Sequence, residues 1–504
     1  MSSGVLVIDQ AWPLLLNTAV LVAATWTISL PLGSLLGWLL LRTDLPGRRA
    51  AIILLGVLLF VPLYLQAAAW QAGFGLQGWA ILVFGMPVWL ESWTGSIWVH
   101  AMAALPWVTL IAGAGFRLVE PELEEQAILD ATPRQVFFHV TARSALPAIT
   151  IAAVWVMILT AGEMTVTDLF GVRTYAEEVY TRMAMGEGPR QSLVSVLPGM
   201  LLLAVLVGAA IVAVARIAPR DRPIPMRARW VYRLGRWRVF AVLLTAIVLV
   251  ILVGIPLGNL LYKAGAVVRM SDDEMVRSWS GWKLVTMVVT SPLRNAREFA
   301  WSLALSGSAA TAAVAAAIGA AWWSRRGEAA TATTVGLAAV ALAVPGPLVG
   351  LATIALVNRP EVPLLAYLYD RSILAPWLAL VIRCFPPAVL ILWQAMRTIP
   401  REMLDAAAVD GASPAGQLWR IVLPSRLHAL GLAWLIAWAV ALGDLAASIL
   451  VVPPGVTTLS IRIFGLLHYG VEDQVAGICL AMTAIFAGIA ALAIFLAGRW
   501  RKAA

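Results

Sequence analysis

Charged residues, cysteines and lysines are scarce in this 504-residue chain. Only 12% of its residues are charged and 61% are hydrophobic, whereas a soluble chain carries about twice that charged share. The two cysteines, Cys384 and Cys479, both lie in apolar runs, so they predict neither a disulfide framework nor a metal–thiolate site. None of the three lysines, Lys263, Lys283 and Lys502, follows a glycine-rich turn, which excludes a Gly-x-x-x-x-Gly-Lys-Ser/Thr phosphate loop for ATP.

Long apolar runs fill most of the sequence and predict an all-α polytopic membrane protein. Each run is long enough to cross a hydrocarbon core of roughly 30 Å. The first run is too long for a signal peptide and lacks a basic leader, so we interpret it as a membrane helix. Residues 75–90 are apolar but short and broken by Gly85 and Pro87, which favours a re-entrant or interfacial segment over a span. About eleven spans are expected, at residues 13–41, 51–72, 95–116, 145–167, 192–216, 238–262, 298–323, 331–357, 373–396, 427–449 and 474–498.

Arginines cluster between the apolar runs in the way that orientation signals do. The segment from Arg216 to Arg238 alone contains eight of them. This bias predicts an N-terminus outside the cytoplasm, which is the periplasmic side if the multi-pass protein lies in a cytoplasmic (inner) membrane. The loop 263–297 carries six basic residues yet is predicted to lie on the outer side. The excess of basic residues on the cytoplasmic side holds mainly for short loops, so a long loop can depart from it. The net charge of +9 therefore reflects orientation in the bilayer and does not indicate binding of nucleic acid.

The chain also contains an internal repeat. Residues of similar chemistry recur in the same order at nearly constant spacing, and both copies run in the same direction through the membrane. The pairs are Arg42 and Arg325, Pro62 and Pro345, Glu124 and Asp405, Glu163 and Asp444, and Gly171 and Gly455. We therefore predict a first domain at residues 1–217 with five spans, a basic cytoplasmic linker at 218–237, and a second domain at 238–504 with six spans.

A polar segment, the second loop (residues 400–426), separates two apolar runs of the second domain. Its characteristic residues are, in order, Asp405, Ala406 and Ala407, then Asp410, Gly411 and Ala412, and later Leu423 and Pro424. Small alanines keep one helix face flat enough for close packing on a partner. A glycine ends such a helix by adopting a left-handed conformation, and proline is tolerated in the first turn of the span that follows.

The first loop (residues 120–147) is a degenerate copy of the same pattern. Glu124, Glu125 and Ala127 take the place of the acid and the alanines, in an alignment without a gap at a spacing of 281 residues. Either Asp130 or Ala131 occupies the glycine position. Arg143 replaces the proline, although Pro147 follows soon after.

These loops resemble the EAA loop of binding-protein-dependent ABC importer permeases, in which Glu-Ala-Ala is followed by a glycine and later by Ile-x-Leu-Pro. The resemblance covers almost the whole chain and implies two fused type I permease domains. It implies that the loop residues dock on a separate ATPase dimer, which binds ATP and Mg²⁺, while this chain holds no cofactor and is no enzyme itself. A periplasmic substrate-binding protein is the second implied partner, and the lipid bilayer surrounds the spans.

The outer segments are most similar to fused ferric-iron permeases. The residues that carry this similarity are Gly171–Tyr180, Pro453–Thr458 and His468–Gly470. They imply ferric iron as the substrate. Fused thiamine permeases share the architecture, and polyamine, sulfate and phosphonate permeases share the core, so these substrates stay open. We expect His468 and Tyr469 to contact the binding protein or to pack within their own loop.

The predicted spans contain the ionisable residues Glu163, Asp444 and Arg383, and charge there is costly and usually faces a cavity or a partner. Glu163 and Asp444 are expected near the outer ends of two spans, either along the substrate pathway or as caps of helix ends. Arg383 lies in mid-span, and Asp444 is a candidate counter-charge for it. His100 near a span end is expected to be interfacial. No metal ligands are assigned. An ion-gradient-driven secondary transporter, with Glu163, Asp444 and Arg383 as coupling groups, is the alternative from a different class.

Overall fold

The structure, a computed structural model, describes residues 2–185, 205, 231–271, 274–470 and 473–503. Almost every regular element in these ranges is a helix. A π-helix, Phe137–Thr141, joins the helices Pro133–Val136 and Ala142–Ala161 into one continuous span. The helices before residue 186 are α1 (Ser2–Arg42), α2 (Arg48–Leu58), α3 (Leu63–Phe74), α4 (Trp79–Phe84), α5 (Ser92–Arg117), α6 (Pro121–Asp130), α7 (Pro133–Val136), α8 (Ala142–Ala161), α9 (Thr165–Leu169) and α10 (Tyr175–Ala184).

The elements after residue 230 repeat much of that order. The helices are α11 (Arg238–Leu249), α12 (Ile255–Gly265), α13 (Gly281–Arg294), α14 (Ala296–Trp323), α15 (Glu328–Ala343), α16 (Gly346–Val357), α17 (Pro363–Arg371), α18 (Leu374–Arg397), α19 (Arg401–Val409), α20 (Pro414–Gln417), α21 (Leu423–Ser425), α22 (Leu427–Gly443), α23 (Leu459–Leu467) and α24 (Asp473–Ala503). Short 3₁₀- or π-helical turns connect some of them, at Gly235–Trp237, Val250–Gly254, Ser324–Arg326 and Leu418–Val422.

One β-hairpin interrupts the helices. Strands β1 (Ala266–Ser271) and β2 (Glu274–Trp279) pair antiparallel, with Ala266 opposite Trp279. The hairpin continues directly from α12, and the backbone N–H of Ser280 donates to the carbonyl of Gly265 to close its base. It lies in the loop 263–297 that the sequence places on the outer side of the membrane.

The prediction of an all-α polytopic membrane protein is confirmed. Within the described ranges, seven helical segments are long and apolar enough to cross a membrane, or up to ten if each of three bent helix pairs is one span. The fifth predicted span, at residues 192–216, lies outside the described residues apart from Val205. The seven segments are Trp12–Arg42, Ser92–Arg117, Pro133–Ala161, Gly235–Gly265, Ala296–Arg326, Leu374–Arg397 and Asp473–Arg499.

Two predicted spans are sharply bent at a proline. The span expected at 51–72 consists of α2 and a segment that begins at Leu63, and the two cross at 104°. The span expected at 331–357 breaks at the same angle between α15 and α16. Pro62 and Pro345 are the N-cap residues of the second helix in each pair, where a ring without an N–H ends the preceding helix. The same bend at equivalent prolines supports the internal repeat.

The chain forms two compact units whose bounds differ from the predicted domains. Unit 1 comprises Met1–Glu178, Pro198–Ser291 and Leu466–Ala481, and the remaining segments form unit 2. The span Gly235–Gly265, which the sequence assigns to the second domain, therefore lies in unit 1. Asn259 fixes it there, since its side-chain amide donates to the carbonyl of Ala69 at 3.0 Å. The predicted boundaries at 217 and 238 stay predictions about the repeat.

Small residues bring the main helices of each unit close together. In unit 1, Gly37 of α1 lies against α5, where an added Cβ would come 2.6 Å from the carbonyl oxygen of Thr109. Unit 2 uses alanines instead, and Ala313, Ala388 and Ala437 of α14, α18 and α22 are all fully buried in its core. Close approach of helix backbones gives the dispersion contacts that hold helices together in lipid.

Candidate functional site

The first loop is held by a buried ion pair. Glu124 on α6 is fully buried, and its carboxylate accepts a hydrogen bond from the guanidinium of Arg42, itself 1% exposed at the end of α1. A second guanidinium N–H of Arg42 donates to the carbonyl of Phe116 at 3.0 Å, which ties the end of α5 to the same group. The Thr141 hydroxyl also donates to Glu124, at 2.5 Å. These bonds connect α1, α5, α6 and the following span at one point.

Tyr232 completes this network from the predicted linker. Its hydroxyl lies 2.8 Å from the hydroxyl of Thr141 and 3.5 Å from Glu124. Its backbone N–H donates to the carbonyl of Arg42, and its ring packs against Trp38 and Phe137. Burial raises the pKa of Tyr232, so the phenol stays neutral and serves as a hydrogen-bonding group.

The second loop has the same helical plan with other contacts. The α19 helix ends at Val409, and Gly411 follows with φ of 86°, which confirms the predicted left-handed residue at this position. The Ser413 hydroxyl then caps α20 by accepting from the N–H of Gly416 at 3.1 Å. Arg325, the counterpart of Arg42, donates to the carbonyls of Met396 and Ile399 at the end of α18. Asp405 is exposed.

The structure corrects the alignment of the two loops by one residue. The helices α6 and α19 begin at Pro121 and Arg401, a spacing of 280, so Glu124 corresponds to Leu404 and Glu125 to Asp405. Burial agrees, because Glu124 and Leu404 are both buried. The second loop then contains one extra residue before its next cap. The expected alignment without a gap is therefore wrong, and of the two candidates for the glycine position it is Ala131 that matches Gly411.

The most exposed apolar side chains of the two loops occupy equivalent places, and sequence reasoning missed both. Leu129 on α6 is 83% exposed, and Val409 on α19 is 88% exposed. They follow Ala127 and Ala407 by two residues and precede Asp130 and Asp410 by one. In the corrected alignment their spacing is also 280 residues, and recurrence in both copies is the signal that could have found them. The roles predicted for the surrounding loop residues, including Glu125, Ala406 and Ala412, stay predictions.

Leu423 and Pro424 lie where the next span begins. Leu423 is buried and Pro424 is in the first turn of the three-residue helix α21. The chain then bends by 80° before the α22 helix starts at Leu427. A π-helix precedes this point in both loops, at Phe137–Thr141 and Leu418–Val422, so the backbone repeats even where Arg143 replaces the proline.

The two predicted pathway acids each cap a turn. Glu163 accepts hydrogen bonds from the N–H groups of Thr165 and Val166, at 2.6 and 2.9 Å. Asp444 accepts likewise from Ala447 and Ser448, at 3.1 and 3.2 Å. These bonds match the helix-end interpretation, and the role in a pathway or gate stays a prediction.

Each of these acids also faces a base, on α5 in the first half and on α18 in the second. The Nε of Arg383 lies 3.4 Å from Asp444, which is the predicted counter-charge. The Nε2 of His100 lies 3.5 Å from Glu163. His100 is 3% exposed: its Nδ1 is within 2.8 Å of the carbonyl of Ser96 and its other nitrogen faces the acid, while its expected position at the membrane interface stays a prediction.

His468 and Tyr469 have different surroundings. The Nε2 of His468 lies 3.1 Å from the carboxylate of Asp168, and this contact favours the packing alternative for the histidine. Tyr469 is 81% exposed and remains accessible. Among the residues that the structure describes, no three His, Cys, Asp or Glu side chains group in a way that could hold a metal ion.

Comparisons with known proteins give partial matches to permeases. The chain is 29% identical over 133 residues to the putrescine transport system permease protein PotI of Escherichia coli (strain K12), covering 26% of this chain and 47% of that protein. It is 31% identical over 105 residues to the spermidine/putrescine transport system permease protein PotC of Haemophilus influenzae, covering 21% and 41%. It is 29% identical over 145 residues to the trehalose transport system permease protein SugB of Mycobacterium tuberculosis, covering 29% and 49%.

The matched relatives are all permease proteins of transport systems by name, and none is named as an enzyme. The chain spans about half, or less, of the length of these relatives. No family model matches the sequence.

Proposed function

We propose that this chain is the transmembrane permease subunit of an ABC importer. In this proposal a separate ATPase dimer grips the two loops from the cytoplasm, and a periplasmic binding protein delivers the substrate. The observation that carries the proposal is the repeated loop helix with an exposed apolar residue at its end, Leu129 in one copy and Val409 in the other. Similarity to three transport permeases supports it.

The physical basis is the combination of exposure and rigidity in these loops. A single exposed apolar side chain is ordinary on a protein surface. Here two such side chains lie at equivalent positions, and each is on a helix that is anchored to the ends of membrane spans. In this proposal they insert into apolar pockets of the partner. The anchoring matters mechanically, since Glu124 and Leu404 connect the helices to the spans and transmit a displacement of the loop.

The docking can be tested with charge substitutions. Leu129→Asp and Val409→Asp together should abolish co-purification with the ATPase, because an aspartate cannot enter an apolar pocket without losing its hydration. Leu76→Asp is the matched control, since Leu76 is 75% exposed on the predicted outer side. Undiminished co-purification of the double variant would count against the proposal.

The predicted orientation has its own test. A Val409→Cys variant should react with a membrane-impermeant maleimide only after the cytoplasmic face is opened, and the two native cysteines are buried and give little background. Labelling from the outside of intact cells would place the loop in the periplasm and remove the mechanism.

For the substrate, we propose a polyamine-like organic cation in preference to ferric iron or thiamine. Two of the compared relatives are named for putrescine or spermidine transport. Uptake of radiolabelled putrescine by proteoliposomes with the full transport system is the expected result. Uptake of ferric iron alone would restore the first expectation.

The secondary-transporter alternative remains testable through the two acid–base pairs. A proton gradient without any ATPase should drive no uptake if the importer proposal is correct. Gradient-driven uptake that is lost in Arg383→Gln would favour the alternative.

A further inference from the structure

A cavity of about 480 Å³ lies beside the first loop, entirely within unit 1. This volume is in the range of sites that bind small ligands. The α1 helix, the start of α7 and the segment from Tyr232 into α11 form its walls. The lining residues are Leu35, Trp38, Leu39, Pro133, Arg134, Phe137, Tyr232, Arg233, Leu234, Trp237, Phe240, Ala241 and Leu244.

The charged residues that line this cavity, among those that the structure describes, are all positive. Its two charged lining residues, Arg134 and Arg233, are both exposed arginines, and no carboxylate is among the described residues that line it. Asp44 nearby is held by a hydrogen bond from the backbone N–H of Leu234 at 2.9 Å. The site is therefore suited to an anionic group.

The remaining walls are apolar and open towards lipid. Leu35 is 42% exposed and Phe240 is 61% exposed on helices that cross the membrane. Trp38 and Trp237 lie near the ends of those spans, where aromatic rings commonly mark the edge of the hydrocarbon. A ligand in this cavity thus meets two arginines at one end and hydrocarbon surface at the other.

We propose that this cavity binds an anionic phospholipid of the inner leaflet. The phosphate lies between Arg134 and Arg233, and an acyl chain runs along α1 and α11 past Leu35 and Leu244. Basic pockets between transmembrane helices on the cytoplasmic side are suited to lipid headgroups of this kind. A water-soluble anion would gain the arginine contacts only, and would leave the apolar walls without a partner.

The position of the cavity connects lipid binding to the first loop. Tyr232 and Phe137 line it, and the hydroxyl of Tyr232 reaches the Thr141–Glu124 network on its other side. A lipid that packs on these rings restrains the residues that fix α6 to the spans.

Native mass spectrometry of the purified full-length chain tests the proposal without any ATPase or transport assay. We expect wild type to retain phosphatidylglycerol over phosphatidylcholine. In Arg134→Gln/Arg233→Gln this retention should fall about tenfold or more, since both basic side chains that attract the anionic headgroup are lost. Arg49→Gln/Arg326→Gln is the matched control, because both arginines are exposed beside the ends of other spans.

A second variant probes the apolar part of the site. Leu244→Trp fills the cavity and should also lower phosphatidylglycerol retention, with the helical circular dichroism of wild type as the check on folding. Equal retention in wild type and the Arg134/Arg233 variant overturns the proposal, as does a wild type without headgroup preference. Displacement of the bound lipid by free glycerol phosphate at equal concentration overturns the choice of a lipid over a soluble anion.

Discussion

The first and second loops share one backbone plan but are anchored by different forces. At the buried position of α6 the first loop has Glu124, paired with Arg42 and bonded to Thr141. At the same position of α19 the second loop has Leu404, which joins an apolar, alanine-rich core. A buried charged residue needs a counter-charge and hydrogen-bonding partners, whereas a buried apolar residue needs only a space of matching volume. The comparison shows that a repeated fold can keep its geometry while the chemistry beneath one copy changes.

The largest expected effect comes from breaking the polar anchor alone. Glu124→Ala should destabilise the chain by about 3–5 kcal/mol, because it leaves the buried guanidinium of Arg42 without a counter-charge. Denaturant titration of the purified protein in detergent measures the loss. Glu125→Ala on the exposed side of the same helix is the control and should change little. Arg42→Met/Glu124→Leu, which imitates the apolar anchor, should recover most of the stability.

A smaller effect should separate the helix ends of the two loops. Gly411→Ala should cost about 1–2 kcal/mol, since an alanine is strained at the positive φ found there. Its counterpart Ala131 has an extended backbone with φ of −139°, so Ala131→Gly should cost less. Equal losses in the two variants, measured by the same titration, would mean that the loop rearranges around either residue.

The hydroxyl of Tyr232 makes one close hydrogen bond in this network, with the hydroxyl of Thr141. Tyr232→Phe keeps the ring against Trp38 and Phe137 but removes the hydroxyl next to Thr141, and should cost about 1 kcal/mol. Tyr469→Phe serves as the control because this ring is 81% exposed. A loss as large as that of Glu124→Ala would make the tyrosine, and not the ion pair, the main anchor.

The smallest effect is expected at the exposed acid of the second loop. Asp405→Ala should leave the denaturation midpoint unchanged, since surface substitutions away from caps and buried groups change stability little. A marked shift would show that Asp405 is part of a structural network, contrary to its exposure.

Periodicity and composition were enough to predict the membrane class, the loop helices, the left-handed Gly411 and the Arg383–Asp444 pair. These features depend on local residue chemistry or on the high cost of an unpaired charge in a span. The prolines were visible too, but sequence alone did not distinguish a slight bend from the 104° breaks at Pro62 and Pro345.

Other features depend on contacts between residues far apart in the chain. Tyr232 reaches Glu124 over 108 positions, and no local pattern marks either residue as the partner of the other. The contact of His100 with Glu163 is of the same kind. The alignment of the loops is off by one because identical residues are few there, and the first residues of α6 and α19, with the burial along them, distinguish the two registers.

Tyr232 gives the segment between the repeats a consequence for how the polypeptide could be divided. Suppose the gene were cut so that the second product began at Val231. The first product would then lack the phenol above Glu124 and also Asn259, whose amide holds the carbonyl of Ala69. Two separately translated halves would thus be obligate partners. The amino-terminal half could complete its fold only when the second product is present to supply these contacts.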